Sequence, residues 1–112
     1  MCTEYSVKEI STEDKINKKL ASYCIGYDKI NDDTVIRTRL QGDTFSPVGR
    51  GLTKPLRKLQ NELKIPAEKR GTNLVVATGS TVLWAEDIGA SVQGVMDKDS
   101  EYGLCIYIKR GE

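Results

Sequence analysis

The side chains of this 112-residue sequence whose type and spacing could do chemistry are basic. Between positions 37 and 70 stand Arg37, Arg39, Arg50, Lys54, Arg57, Lys58, Lys64, Lys69 and Arg70, against only Asp43, Glu62 and Glu68, a segment charge of +6. Residues 1–36 sum to −2 and residues 71–112 to −3, so the chain nets only +1. A cationic segment between acidic ones is the electrostatic footprint of a polyanion partner, while the near-neutral total excludes binding by bulk charge. Arg50 lies between Gly49 and Gly51, which let the backbone approach a ligand. A helix starting near Thr53–Pro55 would add unpaired N–H groups and a positive dipole end. Such a surface suits the phosphates and 2′-hydroxyls of double-stranded RNA.

Catalytic chemistry finds little support. Histidine is absent, which removes His-based triads, Cys–His pairs and imidazole zinc sites. Cys2, Cys24 and Cys105 are odd in number and include no Cys-x-x-Cys, so neither a disulfide framework nor a thiolate metal knuckle is indicated. Cys24 and Cys105 lie in apolar runs and read as buried, inert thiols. Gly49-Arg50-Gly51 is too short for a phosphate-binding Walker loop. Asp43 has no neighbouring acid and reads as a turn residue. Trp84 and Phe45, the only Trp and only Phe, read as core anchors rather than base-stacking platforms. No apolar stretch approaches the ~20 residues of a membrane helix, and Met-Cys-Thr-Glu-Tyr is no signal peptide, so the cytoplasm is the expected compartment.

Several elements must position the basic groups. Ser11-Thr12-Glu13-Asp14 predicts a short helix to about Leu20. Ser22–Ile30 and Thr34–Leu40 read as a hairpin around Asn31-Asp32-Asp33, with Arg37 and Arg39 projecting from one face of the second strand. Gln41–Thr53, rich in Gly and Pro, is a loop. The spacing of Leu52, Leu56, Leu59 and Leu63 predicts an amphipathic helix over about 53–64, capped by Thr53. Its opposite face carries Lys54, Arg57, Lys58, Asn61 and Lys64. Pro66 ends it and opens a short turn to Arg70. Asn73–Thr78 and Thr81–Ala85 form a hairpin around Gly79-Ser80, and Leu104–Lys109 is a buried strand. The class is α+β, antiparallel strands with one main amphipathic helix.

The wording of the basic segment is specific. Gly42-Asp43-x-Phe45-x-Pro47-x-Gly49-Arg50-Gly51-x-Thr53-Lys54-x-Leu56-x-Lys58, then Lys64-Ile65-Pro66-x-x-x-Arg70, then Val82-Leu83-Trp84-Ala85, resembles the C-terminal domain of bacterial tRNA(Ile)-lysidine synthetase. Tyr27-Asp28-Lys29-Ile30 and Ile36-Arg37-Thr38-Arg39 resemble the strands that precede it. The resemblance implies a small layered β/β/α domain over residues 22–112, similar to one in the β-subunit of phenylalanyl-tRNA synthetase, with residues 1–21 a lead-in or the end of a linker. It implies a parent carbon–nitrogen ligase whose N-terminal PP-loop domain binds ATP with magnesium and converts the wobble cytidine of a CAU-anticodon tRNA(Ile) to lysidine. No PP-loop Ser-Gly-Gly-x-Asp-Ser occurs here, so no cofactor and no catalytic residue are expected in this chain. The expected partners are that tRNA, held toward its acceptor stem by Arg37, Arg39, Arg50, Lys54, Arg57, Lys58, Lys64 and Arg70, and the catalytic domain. The alternative is an intramolecular docking or homodimerisation module without RNA contact.

Overall fold

Strands that are apolar on both faces need a packed layer on each side. Leu74–Thr78 and Thr81–Ala85 are such strands, and the rest of the chain supplies the two layers. A computed structural model describes residues 3–11, 24–97, 100 and 102–110. Its strands are β1 (Thr3–Ser11), β2 (Ile25–Gly26), β3 (Thr34–Thr38), β4 (Thr44–Phe45), β5 (Lys54–Pro55), β6 (Leu74–Thr78), β7 (Thr81–Ala85), β8 (Gly89–Ala90) and β9 (Tyr102–Arg110). Two helices, α1 (Leu56–Glu62) and α2 (Ala67–Arg70), follow β5. A six-stranded sheet has the order β3-β6-β7-β4-β5 with β8 beside β7, and a three-stranded sheet has the order β1-β9-β2. All pairings are antiparallel except a single parallel contact of β4 with β7, Thr44 opposite Thr81.

The larger sheet is the middle layer. From one face of β6, Val75 and Ala77 pack with Phe45 and Val82 against Leu56 and Leu59 of α1. From the other, Val76 joins Leu83, Trp84, Ile25 of β2 and Ile106 of β9. The β6–β7 register shifts between Val76 and Ala77, so Leu83 has no opposite number. This bulge is why the adjacent Leu83 and Trp84 both enter the inter-sheet core. The result is the expected β/β/α layering, with Trp84 and Phe45 as the large core anchors.

Four local expectations are corrected. Residues 27–29 form a 3-10 turn, and β2 pairs with β9 rather than with β3, whose partner is β6, so the 22–40 hairpin does not form. The main helix begins at Leu56, because Lys54-Pro55 pair with Phe45 and Thr44 as a strand. Pro55 then occupies the N-cap position, and the Thr53 hydroxyl bonds the Ser46 hydroxyl instead, 2.7 Å away. With the helix only seven residues long, Leu56 and Leu59 are buried while Leu52 and Leu63 lie outside it and are exposed. Finally, Cys24 and Cys105 are joined in a disulfide, their Cα atoms 4.6 Å apart. The burial expected of both holds, but they are bonded because Ile25 pairs with Leu104, which sets their neighbours opposite each other. The helix expected near residues 13–20 lies outside the described residues. No helix among the described residues is long and apolar enough to cross a membrane.

Candidate nucleic-acid interface

The basic segment is built around one buried acid. Asp43 receives a two-pronged ion pair from Arg37, Nη1 to Oδ2 at 2.8 Å and Nη2 to Oδ1 at 2.9 Å. The Leu40 N–H donates to Oδ2 as well, at 2.9 Å, a bond from three residues back rather than the Asx-type bond two residues on that was expected. Burial pushes the Asp43 carboxyl up, but the Arg37 hydrogen bonds, the Leu40 N–H and the charges of Arg37 and Arg39 outweigh it, so its pKa lies below the ordinary value. The Asp43 carbonyl accepts the Leu56 N–H at 2.9 Å, which ties the start of α1 to the β3–β4 turn. That bond also consumes a donor that an open helix start would offer to an anion. A helix of seven residues capped by Pro55 does not present the expected dipole-end site.

Around this hub the eight candidate cations separate into two groups. Arg37 spends its remaining hydrogen-bonding capacity on the carbonyls of Thr38 and Gly79, at 3.0 and 2.9 Å. Lys54, on β5, clasps both oxygens of Glu62 at 2.6 and 2.7 Å. Arg70, the last residue of α2, donates from Nε to the Ile65 carbonyl at 2.7 Å. These three are bound inward. Arg57, Lys58 and Lys64 are exposed and make no hydrogen bond or ion pair among the described residues. Arg50 is exposed and reaches Glu62 only at 4.0 Å. Gly49 and Gly51, on either side of it, have φ of 81° and 62°, and a Cβ at either would meet nothing within 4 Å. The loop needs their left-handed backbone, not their lack of bulk. Glu62, held below the usual carboxylate range first by the Lys54 hydrogen bond, makes this face less purely cationic than the helical wheel implied.

Arg39 belongs to neither group. It lies one residue beyond β3, part-buried, and its Nε is buried without an acceptor. Together with Leu40, Gln41, Gly42, Asp43, Pro55 and Arg57 it lines an open cleft of about 530 Å³. Among the described residues no cluster of three or more Cys, Asp or Glu is placed to hold a metal ion.

Comparison with known proteins bears on this geometry. Residues 34–105 match the family model described as the TilS substrate C-terminal domain. The chain belongs to that family. It is 35% identical over 100 residues to the tRNA(Ile)-lysidine synthase of Caldanaerobacter subterraneus subsp. tengcongensis, covering 89% of this chain and 21% of that protein. It is 31% identical over 85 residues to the enzyme of the same name from Clostridium acetobutylicum, covering 76% and 18%. The chain thus spans about a fifth of the length of these curated relatives. A solved structure described as the TilS C-terminal domain superposes with a TM-score of 0.68 at 20% identity, over 94% of this chain and 83% of that one, and shows the same fold.

In this TilS C-terminal domain several residues within the segments that carried the sequence resemblance are builders. Ser46, buried between Phe45 and Pro47, joins two loops: its hydroxyl meets Thr53 and accepts from Gln93 at 3.1 Å, and its carbonyl takes the Val92 N–H at 2.9 Å. The spacing Ile65-Pro66-x-x-x-Arg70 is the reach of the Arg70 side chain back to the Ile65 carbonyl. Lys64 adopts φ 57°, and the Ile65 and Lys64 N–H groups bond the carbonyls of Gln60 and Asn61, a Schellman ending that aims Lys64 away from α1. Sequence reasoning missed the buried Asn73 and Glu86, which fix the start of β6: Glu86 accepts the Leu74 N–H at 2.9 Å, and Asn73 donates to Asp87 at 3.0 Å. Polar residues flanking an apolar strand were the available signal. These bonds also occupy the described acids of the last third of the chain, with Asp87 further paired to Lys69 at 3.2 Å and Asp97 to Lys29.

Proposed function

We propose that this chain is the tRNA-holding end of a tRNA(Ile)-lysidine synthase. In the whole enzyme, ATP with magnesium and L-lysine convert the wobble cytidine of the CAU anticodon of tRNA(Ile) to lysidine. That chemistry belongs to a catalytic domain outside these 112 residues, in the cytoplasm, and the domain described here grips the tRNA at its acceptor stem. The observation that carries the reading is the sorting of the cations. Arg57, Lys58 and Lys64 are exposed and, among the described residues, unpaired on and beside one short helix, with Arg39 and Arg50 on the adjoining loops, while Arg37, Lys54 and Arg70 hold that surface in shape. An intramolecular docking or dimer role would draw on the acidic third, whose described groups Glu86, Asp87 and Asp97 are engaged within the domain.

The test is binding of an acceptor-stem minihelix across a salt series. Each phosphate contact adds a slope of roughly −0.7 to −0.9 in log K against log salt, so Arg57→Ala with Lys58→Ala and Lys64→Ala is expected to flatten the slope by about 2 to 3 and weaken binding. Lys54→Ala is expected to leave the slope in place. Unchanged affinity and slope in the triple variant would remove the basis of the reading.

A further inference from the structure

The part-buried cations of this segment other than Arg39 have acceptors: Arg37 has Asp43, Lys54 has Glu62, and Arg70 has the Ile65 carbonyl. Arg39 has none, and its Nε is buried without an acceptor. The acid that lines the same cleft, Asp43, has both oxygens taken by Arg37 and one of them also by the Leu40 N–H. The charge of Arg39 acts on Asp43, but the guanidinium makes no hydrogen bond among the described residues, so part of its hydration is lost without replacement unless an anion enters the cleft. Facing the same cleft is Arg57, the second residue of α1, exposed and without a partner among the described residues. The remaining lining residues include Gly42, with no side chain, and the uncharged Leu40 and Pro55. The cleft holds about 530 Å³, room for a tetrahedral oxyanion with its ester substituents. Two planar donor forks around a concave space are the arrangement that recognises phosphate by geometry as well as by charge.

We propose that this cleft seats one phosphate group of the bound RNA, gripped between the guanidinium groups of Arg39 and Arg57. The proposal rests on the RNA-holding reading above, but it is narrower, because it asks for hydrogen-bonding forks where that reading asks only for positive charge. A backbone phosphodiester and a terminal 5′-phosphate share the required chemistry. The experiment therefore measures binding of the 112-residue chain to one minihelix in two forms, 5′-phosphorylated and 5′-hydroxyl. The proteins compared are wild type, Arg39→Lys, Arg57→Lys and the Lys58→Ala, Lys64→Ala pair. Lysine keeps the charge and loses the fork, so Arg39→Lys and Arg57→Lys are each expected to weaken binding about tenfold, the scale of one lost charged hydrogen bond, with the salt slope retained. Loss with both forms assigns the seat to a backbone phosphate, and loss confined to the phosphorylated form assigns it to the 5′ end. Arg57 makes no hydrogen bond or ion pair among the described residues, so its variant keeps the test independent of any folding defect at Arg39. As a direct readout, inorganic phosphate should shift the Arg39 guanidinium resonances of the wild-type protein. Wild-type binding by both lysine variants, with no phosphate-induced shift at Arg39, would overturn the seat. If the Lys58, Lys64 pair still weakened binding in that case, the broader reading would survive without it.

Discussion

Replacing Asp43 by Asn removes a single charge at nearly constant shape, from the point where β3, the turn and α1 are tied together. The carboxylate is buried and accepts three hydrogen bonds, two from Arg37 and one from Leu40. An amide offers one oxygen and an NH₂ group, so at least one Arg37 N–H loses its acceptor and the guanidinium loses its counter-charge. Removing one partner of a buried pair costs about 3–5 kcal/mol. Two features lower that figure here: the Arg37 side chain is 19% exposed, and it keeps the Thr38 and Gly79 carbonyls. The expectation is therefore about 2–4 kcal/mol, discounted from that range for partial solvation. In urea, with a mid-range slope of about 2 kcal/mol per molar, the midpoint should fall by roughly 1–2 M at unchanged slope. The pH dependence has a defined sign. The Asp43 pKa is depressed in the folded state, so its contribution is complete above the unfolded value, near ~3.9, and is lost as pH falls through the folded value. The gap between wild type and variant should stay constant from neutral pH down to about 5 and close below about 4. The Arg37 pKa is raised above an already high value, so it adds nothing in this window. A destabilisation below about 0.5 kcal/mol, the size of an ordinary surface change, would refute the hub. So would a gap that failed to close in acid.

Two further outcomes follow from the fold. The Cys24–Cys105 disulfide spans 81 positions, and loop closure of that length is worth about 4–5 kcal/mol in the chain-entropy account. The oxidised protein should show one free thiol on denaturation, that of Cys2, and a urea midpoint well above that of the reduced protein; three free thiols would show the bond absent. Lys64→Gly relieves a left-handed backbone at φ 57°, so it should hold or raise stability by up to about 1 kcal/mol while flattening the salt slope of minihelix binding. A loss of stability larger than that would mean the Lys64 side chain is packed rather than solvated.

What was legible in the sequence follows the range of the forces involved. The β6–β7 hairpin is local: two apolar runs around Gly79-Ser80 specify it, and Leu74–Thr78 and Thr81–Ala85 form within one residue of expectation. The leucine spacing located α1, but its start depended on a strand pairing, Thr44 with Pro55, that helical periodicity does not register. The pairing of Cys24 with Cys105 and the capture of β2 by β9 depend on register between segments some eighty positions apart, which composition and spacing do not encode. At the candidate site, motif spacing singled out one stretch of chain and treated its arginines as equivalent. Arg37 on β3 and Arg39 just past its end are two residues apart, yet one is closed onto a carboxylate and the other makes no such pair. The difference is the position of Asp43 after the turn, a property of the folded backbone.

That difference explains how a nearly neutral domain can carry an oriented cationic surface. A cation holding a buried carboxylate cannot serve a phosphate without uncovering that carboxylate, and the cost of an unpaired buried charge exceeds what one surface phosphate contact returns. Arg37 is committed in this way to Asp43, whereas Lys54 and Lys69 pair with the exposed Glu62 and Asp87 and are held less firmly. The groups left to meet a polyanion are those that the fold does not need: Arg50, Arg57, Lys58 and Lys64, with Arg39 half-committed at the cleft. Stability and binding should therefore separate along the same chain. Substitutions at Arg37 or Asp43 should move the unfolding midpoint, those at Lys58 or Lys64 the salt slope, and only Arg39, beside the hub and open to the cleft, stands where both can respond.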